Sequence, residues 1–240
     1  MTKYPPDTFF NGQIVVRQEN AGYRFSIDAV LLADYVTAHP NDILVDLGTG
    51  CGILPLILAF RYPEAQFIGI EIQSPLADLA VRNVRENNMS DRIRIMCRDM
   101  KSIRQDLLPG PVDRVISNPP YRKPGTGRIN PNTQRAVARH EIKITLQEVV
   151  GTAARLLRPG GRFTTIYPAG RLADLMSGMQ SNDLQPEKIR TIHSRSGDEA
   201  KLVLAQGIKG GRGGVAIEPP LIIYQDGNTY TEAVEKMFFP

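Results

Sequence analysis

The sequence predicts an α/β fold, doubly wound, in which a mostly parallel seven-stranded sheet ends in a C-terminal antiparallel hairpin. Three observations carry that prediction. Apolar runs of strand length alternate with segments of helical period, the pattern of a parallel sheet wrapped by helices on both faces. The first run leads directly into a glycine-rich turn, LGTGCG, that opens a helix. The last two runs have only GIKGGRGGVAIEPP between them, too little for a crossover helix, so they are expected to pair with each other.

In chain order, strands are expected at 43–47 (ILVDL), 67–72 (FIGIEI), 93–97 (IRIMC), 112–116 (VDRVI), 162–167 (RFTTIY), 201–207 (KLVLAQG) and 221–224 (LIIY). Helices are expected at 26–36, 53–62, 74–88, 146–157 and 171–180. Ser74 before Pro75 reads as an N-cap followed by proline at the first helical position. The stretches 123–132 and 209–214, both basic and punctuated by glycine, read as loops rather than domain borders. With no internal repeat or linker, residues 1–240 are expected to form one domain, an extension over 1–42 followed by an α/β core over 43–240.

Composition narrows the function classes. At 42% hydrophobic and 22% charged residues, the 240-residue chain is an ordinary globular sequence, not a disordered one. Its two cysteines, Cys51 and Cys97, are too few and too far apart for a disulfide framework or a four-ligand zinc site, and no metal is expected. No apolar leader stands at the start, and no uncharged run approaches the ~18 residues of a membrane helix. A cytoplasmic protein without a membrane is therefore expected. The net charge of +4 mildly favours a polyanionic partner.

The glycine turn indicates a nucleoside. Gly48, Gly50 and Gly52 leave backbone free of Cβ atoms at the carboxyl end of a strand, where open α/β sheets bind their ligands. Glu71, at the tip of the next strand and 21 residues beyond Gly50, can accept hydrogen bonds from both hydroxyls of a ribose. A dinucleotide turn would carry a third glycine at position 53, but Ile53 stands there. The spacing is G-x-G-x-G, preceded by Asp46.

VDLGTGCG, the acid ending the second strand and the terminal hairpin together resemble the class I S-adenosylmethionine-dependent methyltransferases, which have a Rossmann-like fold. The resemblance implies that Asp46, Gly48, Gly50 and Gly52 line the loop against the amino-acid part of S-adenosylmethionine. It implies that Glu71 holds the ribose and that Ile72 lies against the adenine. The third strand ends in CRDM, so Asp99 is implied on the adenine amino group, with Met100 beside the ring.

The fourth strand ends in SNPPY. Pro119 and Pro120 remove two backbone donors and stiffen the segment, so its carbonyls point one way. Asn118 adds a side-chain acceptor, and Tyr121 adds a flat ring. Such a set suits a planar NH2 group: acceptors take its N–H bonds while the ring stacks on its conjugated face. Asn118, Pro119, Pro120 and Tyr121 are thus the candidate catalytic residues, with Asn118 also beside the cofactor. Acceptors aimed at charge that develops in the transition state are typically worth on the order of 10²–10³ in rate.

NPPY resembles the motif of methyltransferases acting on adenine N6 in nucleic acid and on the side-chain amide of glutamine in protein. The segment 10–36, FNGQIVVRQENAGYRFSIDAVLLADYV, resembles the N-terminal region of bacterial tRNA adenine-N6 methyltransferases that modify the adenine beside the anticodon of a valine tRNA. That likeness continues through SNPPY and ARHE (138–141) into the hairpin. It implies tRNA as substrate and partner, and a cofactor-covering helix within 1–42 with Tyr23, Arg24 and Asp28 as contacts. The alternatives are a glutamine-N5 protein methyltransferase or an N6-adenine methyltransferase on another RNA or DNA. The short segment before residue 43 is expected to leave no room for the helical protein-binding domain that glutamine methyltransferases carry. Arg122, Lys123, Arg128, Arg135, Arg139, His140, Lys209 and Arg212 are candidate phosphate contacts. Both monomer and homodimer remain open.

Overall fold

The computed structural model describes residues 6–18, 27–119 and 144–238. A short antiparallel hairpin of β1 (Pro6–Phe9) and β2 (Ile14–Arg17) precedes α1 (Ile27–Tyr35). The core then alternates β3 (Ile43–Leu47), α2 (Ile53–Arg61), β4 (Gln66–Glu71), α3 (Ser74–Glu86), β5 (Ile93–Cys97) and β6 (Val112–Ser117). Beyond the next undescribed stretch come α4 (Leu146–Leu156), β7 (Leu157–Pro168), α5 (Leu172–Ser181), β8 (Leu184–His193), β9 (Ala200–Lys209), β10 (Ala216–Ile222) and α6 (Glu232–Phe238).

The main sheet has eight strands in the order β10-β8-β9-β7-β6-β3-β4-β5. From β10–β8 and from β7 through β5 neighbouring strands run parallel; only the β7–β9 and β8–β9 pairs are antiparallel. The chain leaves β3 toward β4 and β5, then returns to the other side of β3 for β6. The gap between the ends of β3 and β6 is therefore a topological switch point, where open sheets of this kind bind ligands. Alternate residues of the central strands feed two apolar layers. Leu44, Phe67 and Ile116 face α1, α2, α3 and the N-terminal hairpin. Val45, Leu47, Ile68, Ile70 and Val115 face α4 and α5.

Two expectations about the C-terminal half need correction. The antiparallel hairpin is real but joins β8 to β9, while the expected partner of β9, at 221–224, falls at the end of β10, which pairs parallel to β8. Seven strands become eight because β8 escaped notice. Its sequence, LQPEKIRTIH, carries charges and a proline, and a register shift between Pro186 and Lys188 breaks the two-residue alternation. The glycine-rich stretch after β9 crosses the start of β8, where Gly210 donates to the Asp183 carbonyl (3.0 Å) and Gln185 donates to the Gly213 carbonyl (2.8 Å). A smaller correction concerns α3. Gln73 holds the N-cap position, without a side-chain cap, and Ser74 and Pro75 both lie inside the helix.

The hairpin is fastened to the core by two asparagines of α3. Asn87 pairs with both backbone groups of Val15 (2.9 and 2.7 Å), and Asn83 with both of Arg17 (2.9 and 3.1 Å). Spaced one helical turn apart, the two amides meet the edge of β2 as a neighbouring strand would. No helix among the described residues is long and apolar enough to cross a membrane.

Candidate functional site

The carboxyl ends of β3, β4, β5 and β6 bring Asp46, the Gly48–Gly52 turn, Glu71, Ile72, Asp99 and Asn118 to one end of the sheet. Asp46 is next to last in β3, level with Gly69 on β4 and Ile116 on β6. Past it the chain turns sharply. Gly48, Gly50 and Gly52 all have positive φ (80°, 57° and 84°), which explains why glycine occupies alternate positions. The turn is tied to β4, with Gly48 and Thr49 both donating to the Ile70 carbonyl at 2.9 and 3.0 Å. A Cβ on Gly48 or Gly50 would meet no atom within 4 Å, so this backbone borders open space.

Glu71 is buried and grips the turn from below. One carboxylate oxygen accepts the Gly50 N–H at 3.0 Å, and the other accepts the Gln73 N–H at 2.9 Å. Each oxygen keeps a further lone pair, so the group can brace the loop and still accept from a diol. Ile72, next in the chain, is half-buried.

Asp46 differs. It is only 3% exposed, and neither carboxylate oxygen has a hydrogen-bond partner among the described residues. Burial pushes its carboxyl up to about 7; the Thr49 hydroxyl, itself without a bond of good geometry, tempers the shift, and the Glu71 charge adds to it. A buried acid in this state lacks a counter-charge. An ammonium group entering beside Gly48 would supply one, so the amino-acid end of S-adenosylmethionine fits this donor and acceptor set.

Thr49 sits over Gly69, where any Cβ would come within 2.8 Å of the Thr49 methyl and of Ile95 Cδ1. Gly69 thus makes room for the turn to lie flat on the sheet. The end of β6 is fixed by hydroxyls: Ser117 donates to the Leu47 carbonyl and Thr165 donates to the Ser117 carbonyl, both at 2.8 Å. These two bonds stitch β3, β6 and β7 together one residue before Asn118. Asn118 is half-buried and Pro119 is buried. Gly69, Ser117 and Thr165 were missed in the sequence; small and hydroxyl residues set in otherwise apolar strands were the signal that could have found them.

At β5 the picture is mixed. Asp99 caps a short 3-10 turn, accepting the Lys101 N–H at 2.9 Å, and its side chain is about one-third exposed. Met100 is buried among Ile103, Leu108 and their neighbours in the layer beneath α4. Asp28 stands half-buried in the first turn of α1. Pro120, Tyr121, Tyr23 and Arg24 lie outside the described residues, as do Arg122, Lys123, Arg128, Arg135, Arg139 and His140. Lys209 and Arg212 are not brought to the site. Ile208 near the end of β9 lies level with Arg162 of β7 and, through it, with Arg114 in the first half of β6, away from the site end of the strands, and Lys209 pairs with Asp183 at 3.3 Å. Among the described residues, no cluster of His, Cys, Asp and Glu could hold a metal ion.

Residues 24–171 match the sequence profile of a family described as the methyltransferase small domain. A relative from Porphyromonas gingivalis, named tRNA1(Val) (adenine(37)-N6)-methyltransferase, is 32% identical over 84% of this chain and 81% of its own. One of the same name from Aeromonas salmonicida is 26% identical over 95% and 94%. Among solved structures, one described as a predicted O-methyltransferase from Agrobacterium tumefaciens superposes with a TM-score of 0.69. It is 24% identical over 88% of this chain and 94% of that one, and so speaks to the fold.

Proposed function

The chain belongs to the methyltransferase small domain family and is an S-adenosylmethionine-dependent N-methyltransferase, and we propose that its acceptor is N6 of adenine 37 in tRNA1(Val). The observation that carries this reading is the agreement between SNPPY at the end of β6 and relatives of that one name along most of the chain. When bound, S-adenosylmethionine supplies a methyl group on a sulfonium centre, an electrophile that needs no prior activation.

The residues of the chain then have separable tasks. Asp46 faces the ammonium of the cofactor, the Gly48–Gly52 turn lies against its amino-acid part, and Glu71 accepts from the ribose hydroxyls. Ile72, Asp99 and Met100 are assigned to the adenine end, and Tyr23, Arg24 and Asp28 to the covering segment. At the reacting nitrogen, the Asn118 side-chain carbonyl accepts one amine N–H as positive charge grows there. Pro119 and Pro120 keep the neighbouring carbonyls aimed at the same nitrogen, and Tyr121 stacks on the base, worth ~1–3 kcal/mol. The exocyclic amine of adenine is a weak nucleophile because its lone pair is delocalised, so this acceptor set raises its reactivity without a general base before attack. The amine proton passes to water once the methyl group has left sulfur. The target adenine must leave any stack to reach the site, which costs least in a loop. Residues 1–42 cover the cofactor and 43–240 form the catalytic core of a single domain that works in the cytoplasm.

The test offers purified protein labelled cofactor with unmodified tRNA, with the same tRNA lacking adenine 37, and with release-factor protein. N6-methyladenosine in the first alone is the expected result. Label in protein glutamine and none in RNA would replace this reading with the glutamine alternative.

A further inference from the structure

The glycine turn has an acceptor that its own helix cannot serve. In an α-helix the carbonyl of residue 51 would receive the N–H of residue 55, but that residue is Pro55, which has none. The helical ladder of α2 accordingly opens one residue later, with Leu56 donating to the Gly52 carbonyl at 3.2 Å. The Cys51 carbonyl is left in a buried position where an unpaired acceptor costs free energy.

Asn83 fills that vacancy. Its side-chain N–H donates to the Cys51 carbonyl at 2.8 Å and to the Arg17 carbonyl at 3.1 Å, while its oxygen accepts the Arg17 N–H at 2.9 Å. The side chain is fully buried, and its bond to Cys51 is buried with it. Helix α3 comes close enough for this because Gly52 has no side chain; a Cβ there would be 3.2 Å from that of Ala80, one turn before Asn83. One amide therefore joins the turn after β3, the strand β2 and the helix beneath both.

We infer that Asn83 is a positioning residue for the glycine turn: by holding the Cys51 peptide it fixes Gly50 and Gly52 on either side in the geometry the cofactor meets. The inference rests on the reading of that turn as the cofactor site. Asn87, one turn further along α3, provides the comparison. It bonds Val15 of β2 and the Asn83 carbonyl but makes no bond to the turn. A role confined to docking the hairpin would make the two asparagines equivalent.

The experiment measures cofactor Kd by calorimetric titration, with thermal melts and steady-state kinetics, for the wild type, Asn83→Asp, Asn83→Ser and Asn87→Ala. Aspartate keeps the acceptor for Arg17 but sets an oxygen against the Cys51 carbonyl. Its cofactor Kd and KM are expected to rise about tenfold or more, with kcat at saturating cofactor within about twofold of wild type. Serine should fall between. Asn87→Ala should lower the melting temperature yet hold Kd within about twofold. If Asn83→Asp fails to fold, Asn83→Ser is read in its place. Equal weakening in the Asn83 and Asn87 variants, or an unchanged Kd in the Asn83 variants, would overturn the inference. A wild-type protein that does not bind the cofactor would overturn the site reading instead.

Discussion

The carboxylate of Glu71 accepts the backbone N–H of Gly50 at 3.0 Å, so the tip of β4 braces the middle of the turn that follows β3. A residue expected to meet the cofactor also holds the loop that meets it. Glu71→Ala removes both functions, leaving the Gly50 and Gln73 N–H groups without their acceptor. Cofactor affinity should fall by about 1.5–3 kcal/mol, the worth of hydrogen bonds to a charged acceptor. Calorimetric titration checks this, and an unchanged Kd would remove Glu71 from the site.

Cofactor binding should depend on pH through Asp46. Its carboxyl, raised from 3.8 to about 7 by burial, is protonated in the free protein on the acid side of neutrality. A cationic ammonium binds the ionised form, so affinity should weaken as pH falls below about 7. The stability of the free protein moves the other way. The folded state holds this proton more tightly than the unfolded one, so stability rises as pH drops from about 7 toward 3.8. Asp46→Asn should bind weakly at every pH, lose the slope in affinity and be more stable than wild type above neutrality. Titrations and melts from pH 5.5 to about 8.5 read both effects, across the range where the raised carboxyl titrates. A parallel slope in the variant would sink the assignment.

Asn118→Ala should lower kcat far more than it changes cofactor affinity, because its acceptor matters most as charge develops. A fall of about 10² in single-turnover rate is expected at saturating cofactor and tRNA. A rate within about threefold of wild type would leave Asn118 without a catalytic role.

The parts of the site that were legible in the sequence are those in which backbone geometry demands a residue type. Three glycines at alternate positions announced a turn with backbone free of Cβ atoms, and Glu71 stood out at the tip of the next strand, 21 residues beyond Gly50. The braces were not legible. Nothing local marks Asn83 as the donor for a carbonyl 32 residues away, or Thr165 as the anchor of a peptide on another strand. Such bonds exist only after the sheet has formed. In the fold, the central parallel strands read clearly, because burial on both faces keeps most of their positions apolar. β8 did not, since its bulge and half-exposed face scatter the pattern. β1, β2 and α6 are short, and contacts with the core rather than their own periodicity define them. Lys209 and Arg212 show a different limit: charge is visible in a sequence, but the edge of the sheet on which it ends up is not.

The sheet has two flanks, and the one formed by β10 has a consequence for crowded solutions. A flank strand presents backbone groups that another chain can copy, and here Ile217 stands 76% exposed beside them. Pro219 and Pro220 follow in the same strand, at the irregularity where its register against β8 shifts, and neither has an N–H to offer. The Pro219 carbonyl is already engaged by the Arg190 side chain at 3.0 Å. An incoming strand would gain a few bonds at one end and then lose its footing, so growth of the sheet from molecule to molecule is blocked at mid-strand. The same dipeptide that looks like a flaw in a ladder makes this flank a poor template for a further strand.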